Sequence, residues 1–319
     1  MRRFPGGICV LAAFLFFFAA PFKLMASSDP TLLSLVPPGA QVVAGMDSPP
    51  PKGRPGSFVL ISHNNTIDLD DFYALTGADS SRVVRHAIFV AIADDTGYLR
   101  EHGLMLSGHF DRERVYKSAE DGGAPVISYR GIPVLEIQPL ARERGSYGEV
   151  RWLAVLDSNV LLFGTITTVQ EELDRRVTGS TTDPILVSKL ARLHSDDETW
   201  CILSTRLLND QIQKALAAID PHVADLAVGG DAFEFGVRNR KQVELEYEVT
   251  TTSGAGTHVI SGSLLQSLTG PGKGSSLLPS MDTTGTGGDK TVRGVIKIPT
   301  ALFSRWLSDV NARQGSTLP

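Results

Sequence analysis

The chain has 319 residues, 42 % hydrophobic and 20 % charged, with 30 basic and 35 acidic side chains and a formal charge of −5. That balance excludes general affinity for nucleic acid or anionic lipid, both of which reward Lys and Arg. The length admits two ordinary domains with cores of their own.

The N-terminus carries Arg2 and Arg3, then an apolar run from Ile8 to Ala20. A run of that length matches the hydrophobic region of a secretory signal and falls short of the ~20 residues of a spanning helix. Residues 1–26 are therefore read as a signal peptide cleaved after Ala26, or as an uncleaved anchor in which Phe22, Leu24 and Met25 extend the run. Cys9 lies too early for lipid attachment, and the surroundings of the paired arginines do not fit a twin-arginine signal. A mature chain without Arg2, Arg3 and Lys23 has three fewer positive charges, giving −8. Only Cys201 of the two cysteines would remain, so no intrachain disulfide is possible.

Chain order then suggests a first α+β unit over 27–183. It opens with a short helix at Leu32–Val36, stopped by Pro37-Pro38, and a strand from Gln41 to Gly45. Ser48–Gly56, rich in Pro and Gly, is a loop. Phe58–Ser62 reads as a strand and Asp68–Leu75 as a short helix. His86–Ala93 and Gly103–Phe110 are β-rich apolar runs, and Asp111 is placed to cap a helix through Ala119 that Gly122-Gly123 end. Pro125–Tyr129 and Pro133–Ile137 pair around Arg130-Gly131. Val150–Leu156 and Val160–Phe163 are strands, and Thr167–Arg176 is an amphipathic helix before a linker at Thr178–Asp183.

A second unit, 184–319, reads as strand Trp200–Ser204, helix Leu207–Ile219, strands Ala232–Val237 and Val243–Thr251, helix Thr257–Leu268, strand Val292–Ile298 and helix Thr300–Asn311. Residues 269–290, rich in Gly, Ser and Thr, are expected to be a flexible loop. The order βαββαβ plus a terminal helix predicts a ferredoxin-like unit. The expected fold class is thus α+β, with two units of antiparallel sheet carrying helices on one face.

The run Leu33–Met46, the segment Gly108-His109-Phe110-Asp111, Tyr129–Val134, and Ala154–Asp157 through Leu162-Phe163-Gly164 together resemble a secreted bacterial family of unknown function. These are turn and strand signatures spread over most of the mature chain. The resemblance implies an exported α+β protein and supplies no activity, cofactor or catalytic residue.

Candidate chemistry is sparse. Asp68, Asp70 and Asp71 form the densest acidic cluster, yet they lack the Gly and Glu of a calcium loop, and a cap with two first-turn acids explains all three. Asp94-Asp95 and Asp196-Asp197-Glu198 read as turn residues. The histidines at 63, 86, 102, 109, 194, 222 and 258 show no zinc spacing. Ser107 and His109, two apart on one strand, are the nearest approach to a hydrolase pair, but no nucleophile elbow surrounds them. Cys201 lies in an apolar strand pattern, as a buried thiol does. Gly270–Ser276 fails the phosphate-loop spacing and follows a helix pattern rather than a strand, and Gly285–Gly288 reads likewise as a flexible connection.

No catalytic, cofactor-binding or metal residue is assigned. The expected function is that of a non-enzymatic envelope protein, periplasmic or extracellular, acting as a binding or interaction module on an unknown envelope protein or ligand. The alternatives are a carrier of an apolar ligand and a hydrolase of unfamiliar type. No nucleic-acid partner is expected, and membrane contact only through an uncleaved N-terminus.

Overall fold

The structure is a computed structural model that describes residues 29–47, 60–62, 65–67, 84–93, 99–137, 150–191, 193, 199–204, 230–239, 242–251, 280–285 and 291–301. They fall into two compact units, one within 27–92 and 101–190, the other within 93–100 and 191–319.

The first unit contains helix α1 (Pro30–Leu35), strands β1 (Val42–Asp47), β2 (Leu60–Ser62), β3 (Asn65–Ile67), β4 (Val84–Ala93) and β5 (Leu99–Gly108), and helix α2 (Arg112–Asp121). Strands β6 (Val126–Tyr129), β7 (Ile132–Ile137), β8 (Arg151–Val155) and β9 (Val160–Thr165) follow, then helices α3 (Ile166–Thr178) and α4 (Pro184–Leu190). Seven of its strands lie in the order β1-β4-β5-β9-β8-β7-β6, while β2 and β3 make a separate hairpin.

Local signals place several of these elements. Asp111 accepts from the Arg114 amide at 3.0 Å and starts α2. Arg130 and Gly131, at φ of 53° and 76°, form the two-residue turn with both central residues left-handed that the twist of a β6–β7 hairpin favours. Thr165 caps α3, and Gly179, at φ 68°, closes it.

Register then sorts side chains between the two faces, because directly paired residues point the same way. Gly103, Gly164, Trp152 and Glu136 form one row across β5, β9, β8 and β7. The next row, on the opposite face, is Leu104, Phe163, Leu153 and Leu135, all buried. Helix α3 covers the first face, with Thr168, Val169, Glu172 and Leu173 buried beneath it.

Where β7 and β8 part, Tyr116 of α2 fills the gap. Its hydroxyl donates to the Pro133 carbonyl and accepts from the Val155 amide. Burial pushes its pKa up, although the Val155 amide and Arg112 oppose that rise. Tyr116→Phe leaves two inward-facing backbone groups without their partner, and a loss of about 1–3 kcal/mol is expected by urea denaturation. A loss well under ~0.5 kcal/mol would mean that the hydroxyl does not hold these strands.

The second unit holds β10 (Thr199–Ser204), β11 (Gly230–Asn239), β12 (Val243–Thr251), β13 (Ser280–Gly285) and β14 (Thr291–Ile298). Their order is β13-β14-β12-β11-β10, with each strand antiparallel to its neighbours. One face carries Cys201, Phe235, Val237, Leu245, Tyr247 and Ile296.

These findings correct the expected fold class. The described chain is predominantly antiparallel sheet with few helices, not two α+β units of sheet with helices on one face. A ferredoxin-like split βαββαβ unit would set β10 between β14 and β12, with β11 at the edge; the observed order β14-β12-β11-β10 instead pairs β10 with β11 and β11 with β12, as a meander does. Ser280–Gly285, inside the stretch expected to be a loop, is β13, paired with β14 from Ser280↔Lys297 to Gly285↔Val292. Its Thr-rich sequence lacks apolar alternation, so a neighbouring strand rather than local pattern defines it. The helices expected at 68–75, 207–219 and 257–268, and nearly all of that at 300–311, lie outside the described residues, whereas α4 occupies a stretch for which no helix was expected. No described helix is long and apolar enough to cross a membrane.

Candidate functional site

The sequence points first to Ser107 and His109. Ser107 lies near the end of β5 and is buried, with 4 % of its surface exposed, whereas His109 lies beyond the strand and is exposed. The Ser107 hydroxyl donates to the Asp29 carboxylate, and His86 of β4 lies close enough to act on the same carboxylate. Asp29 also caps α1 through the Thr31 amide at 2.9 Å. Burial alone would raise the Asp29 pKa; the bonds from Ser107 and Thr31 and the charge of His86 outweigh it and hold the carboxyl below its ordinary value.

A serine, a histidine and a carboxylate thus meet, but with Asp29 bonded directly to the serine. The relay of a serine hydrolase places histidine between the two as the base. Here Ser107 ties a strand to a helix cap.

Asp29-Pro30 is a local sign of a helix start, but nothing local links position 29 to 107 or 86. That is why sequence reasoning chose His109 instead.

The other sequence candidates do not assemble. Asp68, Asp70, Asp71, Asp94, Asp95, 196–198, 270–276 and the histidines at 63, 194, 222 and 258 lie outside the described residues, and His102 is described only as part of β5. Among the described residues no group of three His, Cys, Asp or Glu could hold a metal ion. Cys201 is fully buried in β10, and burial pushes its thiol pKa well up, as suits an inert core thiol.

Two features escaped the sequence reading. One is a charged face on the second unit's sheet. Glu234, Glu248 and Arg293 form one row across β11, β12 and β14, and Arg238, Glu244 and Lys297 another, with Glu246 between them. Arg293 is ion-paired with Glu248, and Arg238 lies 3.4 Å from Glu244 and 3.9 Å from Glu246. Glu234, Arg238 and Glu248 are buried, while the Arg293 side chain is 58 % exposed. The alternation of Val243–Thr251 announces an amphipathic strand; only register stacks opposite charges from three strands.

The second feature is α3 as a tie point. Asp174 accepts from Arg130 at 2.9 Å and from the Tyr129 hydroxyl at 3.2 Å, joining the helix to the β6–β7 hairpin. The Arg130 bond holds the Asp174 carboxyl below its usual range, against a smaller opposing effect of burial. Arg176 donates to Asp157 at 2.8 Å in the β8–β9 turn, and Arg175 to the Ser34 carbonyl of α1 at 3.3 Å.

Beneath these ties lies Glu172, with 0 % exposure and neither carboxylate oxygen hydrogen-bonded. Burial first, and then Glu171, push its pKa well above the ordinary glutamate value, while Arg175 opposes them.

Comparison with known proteins places this chain in no family: no family model matches it, and neither a curated protein nor a solved structure does.

Proposed function

We propose that the chain is an exported, non-enzymatic envelope protein, periplasmic or extracellular, that acts as a binding or interaction module. The observation that carries this reading is the charged face of β11, β12 and β14. Glu234, Arg238 and Glu248 of this face are buried, and Arg293, exposed at its β14 side, is where a partner would read it by complementary charge. The use of the Ser107 hydroxyl as a tie to Asp29 favours this reading over a hydrolase. The N-terminal Arg2-Arg3 and apolar Ile8–Ala20 support export, and the likeness of Leu33–Met46 to a secreted bacterial family accords with it.

The test uses the full chain expressed in a bacterial host, with a photo-crosslinking residue at position 242 next to β12. A discrete envelope adduct is expected, together with its loss in the charge-reversed Arg293→Glu/Lys297→Glu protein. Ester hydrolysis by the purified chain that vanishes in Ser107→Ala would overturn the reading in favour of an enzyme. An adduct unaffected by the charge reversal would remove the charged face from it.

A further inference from the structure

We propose that α3 is a proton-controlled latch: Glu172 must carry a proton for the helix to lie on the sheet, and loss of that proton to solvent releases α3 from β5, β8 and β9. The geometry carries the argument. Glu172 projects onto the sheet at Gly103, where a Cβ would stand 3.1 Å from its Oε1 and 2.9 Å from the Thr168 methyl. The absent side chain of Gly103 is therefore the space that a neutral carboxyl occupies. Both carboxyl oxygens lack a hydrogen-bond partner, and an unpartnered buried carboxylate costs far more than an unpartnered buried acid.

The groups around Glu172 do not remove that cost. On its own helix, Glu171 repels an ionised Glu172 and Arg175 attracts it, but Arg175 Nη2 is directed to the Ser34 carbonyl of α1. On the sheet, β5 presents Gly103 and β9 Gly164, and β8 presents the Trp152 indole, with Glu136 of β7 further along that row. Arg151 of β8 belongs to the opposite face, where its guanidinium lies 5.5 Å from the Phe163 ring centre. Asp29 and His86 gather at Ser107, at the other end of the same face of β5.

The sign follows from linkage. Glu172 has its pKa raised in the docked state, so docking is strongest below the ordinary glutamate value of ~4.3 and weakens as pH rises toward the raised value. Asp174 has its pKa lowered, so its tie to Arg130 is made above the ordinary aspartate value and lost as pH falls. Over the interval in which Asp174 is ionised and Glu172 protonated, every tie on α3 is in place. Above it, one buried charge works against the part-buried Arg175–Ser34 bond and two exposed ion pairs, which are individually weak.

Amide hydrogen exchange on the full chain between pH 5 and 8, corrected for intrinsic rates, tests the latch. Opening of α3 is expected to rise about tenfold per pH unit across the interval in which the docked Glu172 holds its proton and the released one has lost it. Glu172→Gln is expected to abolish the slope. Glu172→Met, apolar and of similar length, is expected to do the same should the amide variant fail to fold. Amides of α2 provide the reference. A flat profile in the unmodified chain, a slope that survives either substitution, or the same slope in α2 as in α3 would each overturn the proposal.

Discussion

Phe163→Ala is expected to remove about 3–5 kcal/mol of stability. Phe163 lies in β9 with 0 % exposure, paired with Leu104 of β5 on one side and Leu153 of β8 on the other. Both neighbours belong to the sheet ladder and cannot move inward to fill the space, so the cost includes a cavity as well as lost transfer energy. The ring also carries the Arg151 guanidinium at 5.5 Å, a contact of about 0.5–2 kcal/mol for a desolvated cation. Urea denaturation followed by Trp fluorescence gives the measurement: a lower midpoint with an unchanged slope. A loss under ~1 kcal/mol would show that the row from Leu104 to Leu135 is not close-packed.

Gly294→Ala is the second large effect, and it arises from overpacking. The Tyr247 ring of β12 lies across Gly294 of β14, so that an added Cβ would stand 2.5 Å from its hydroxyl oxygen and 2.6 Å from Cζ. No pair of such atoms tolerates that separation, and Tyr247, 1 % exposed, has little room to withdraw. A loss of about 1–3 kcal/mol is the usual result of forcing a methyl group into a closed core. Tyr247→Leu alone leaves a void over Gly294. In the double variant the new methyl partly fills that void, and the two costs should sum to more than the measured total. Strict additivity, or a neutral Gly294→Ala, would mean that the ring does not cover the glycine.

Glycine plays unlike roles at these positions. Gly131 and Gly179 are required by positive φ, and a turn or helix-end pattern identifies them. Gly103 and Gly294 sit in ordinary strands, where one lodges the Glu172 carboxyl and the other the Tyr247 ring. Their neighbours in sequence contain no sign of it, since the occupant comes from another element 69 or 47 residues away.

The residues by themselves determined the local vocabulary: the main strand runs of the first unit, the cap at Asp111, the Arg130-Gly131 turn and the burial of Cys201. Each follows from φ preferences, hydrogen-bonding side chains and alternation over a few residues. Tertiary structure decided the rest. The order β14-β12-β11-β10 displaced the ferredoxin-like arrangement because the choice of neighbouring strand is made by pairing between elements, to which periodicity within a strand is blind. Pairing made a strand of Ser280–Gly285 despite its composition. It also brought Asp29 rather than His109 to Ser107, and set Glu172 against Gly103. On an amphipathic helix Glu172 reads as one more charge between Glu171 and Asp174; the sheet beneath α3 turns it inward, out of reach of water.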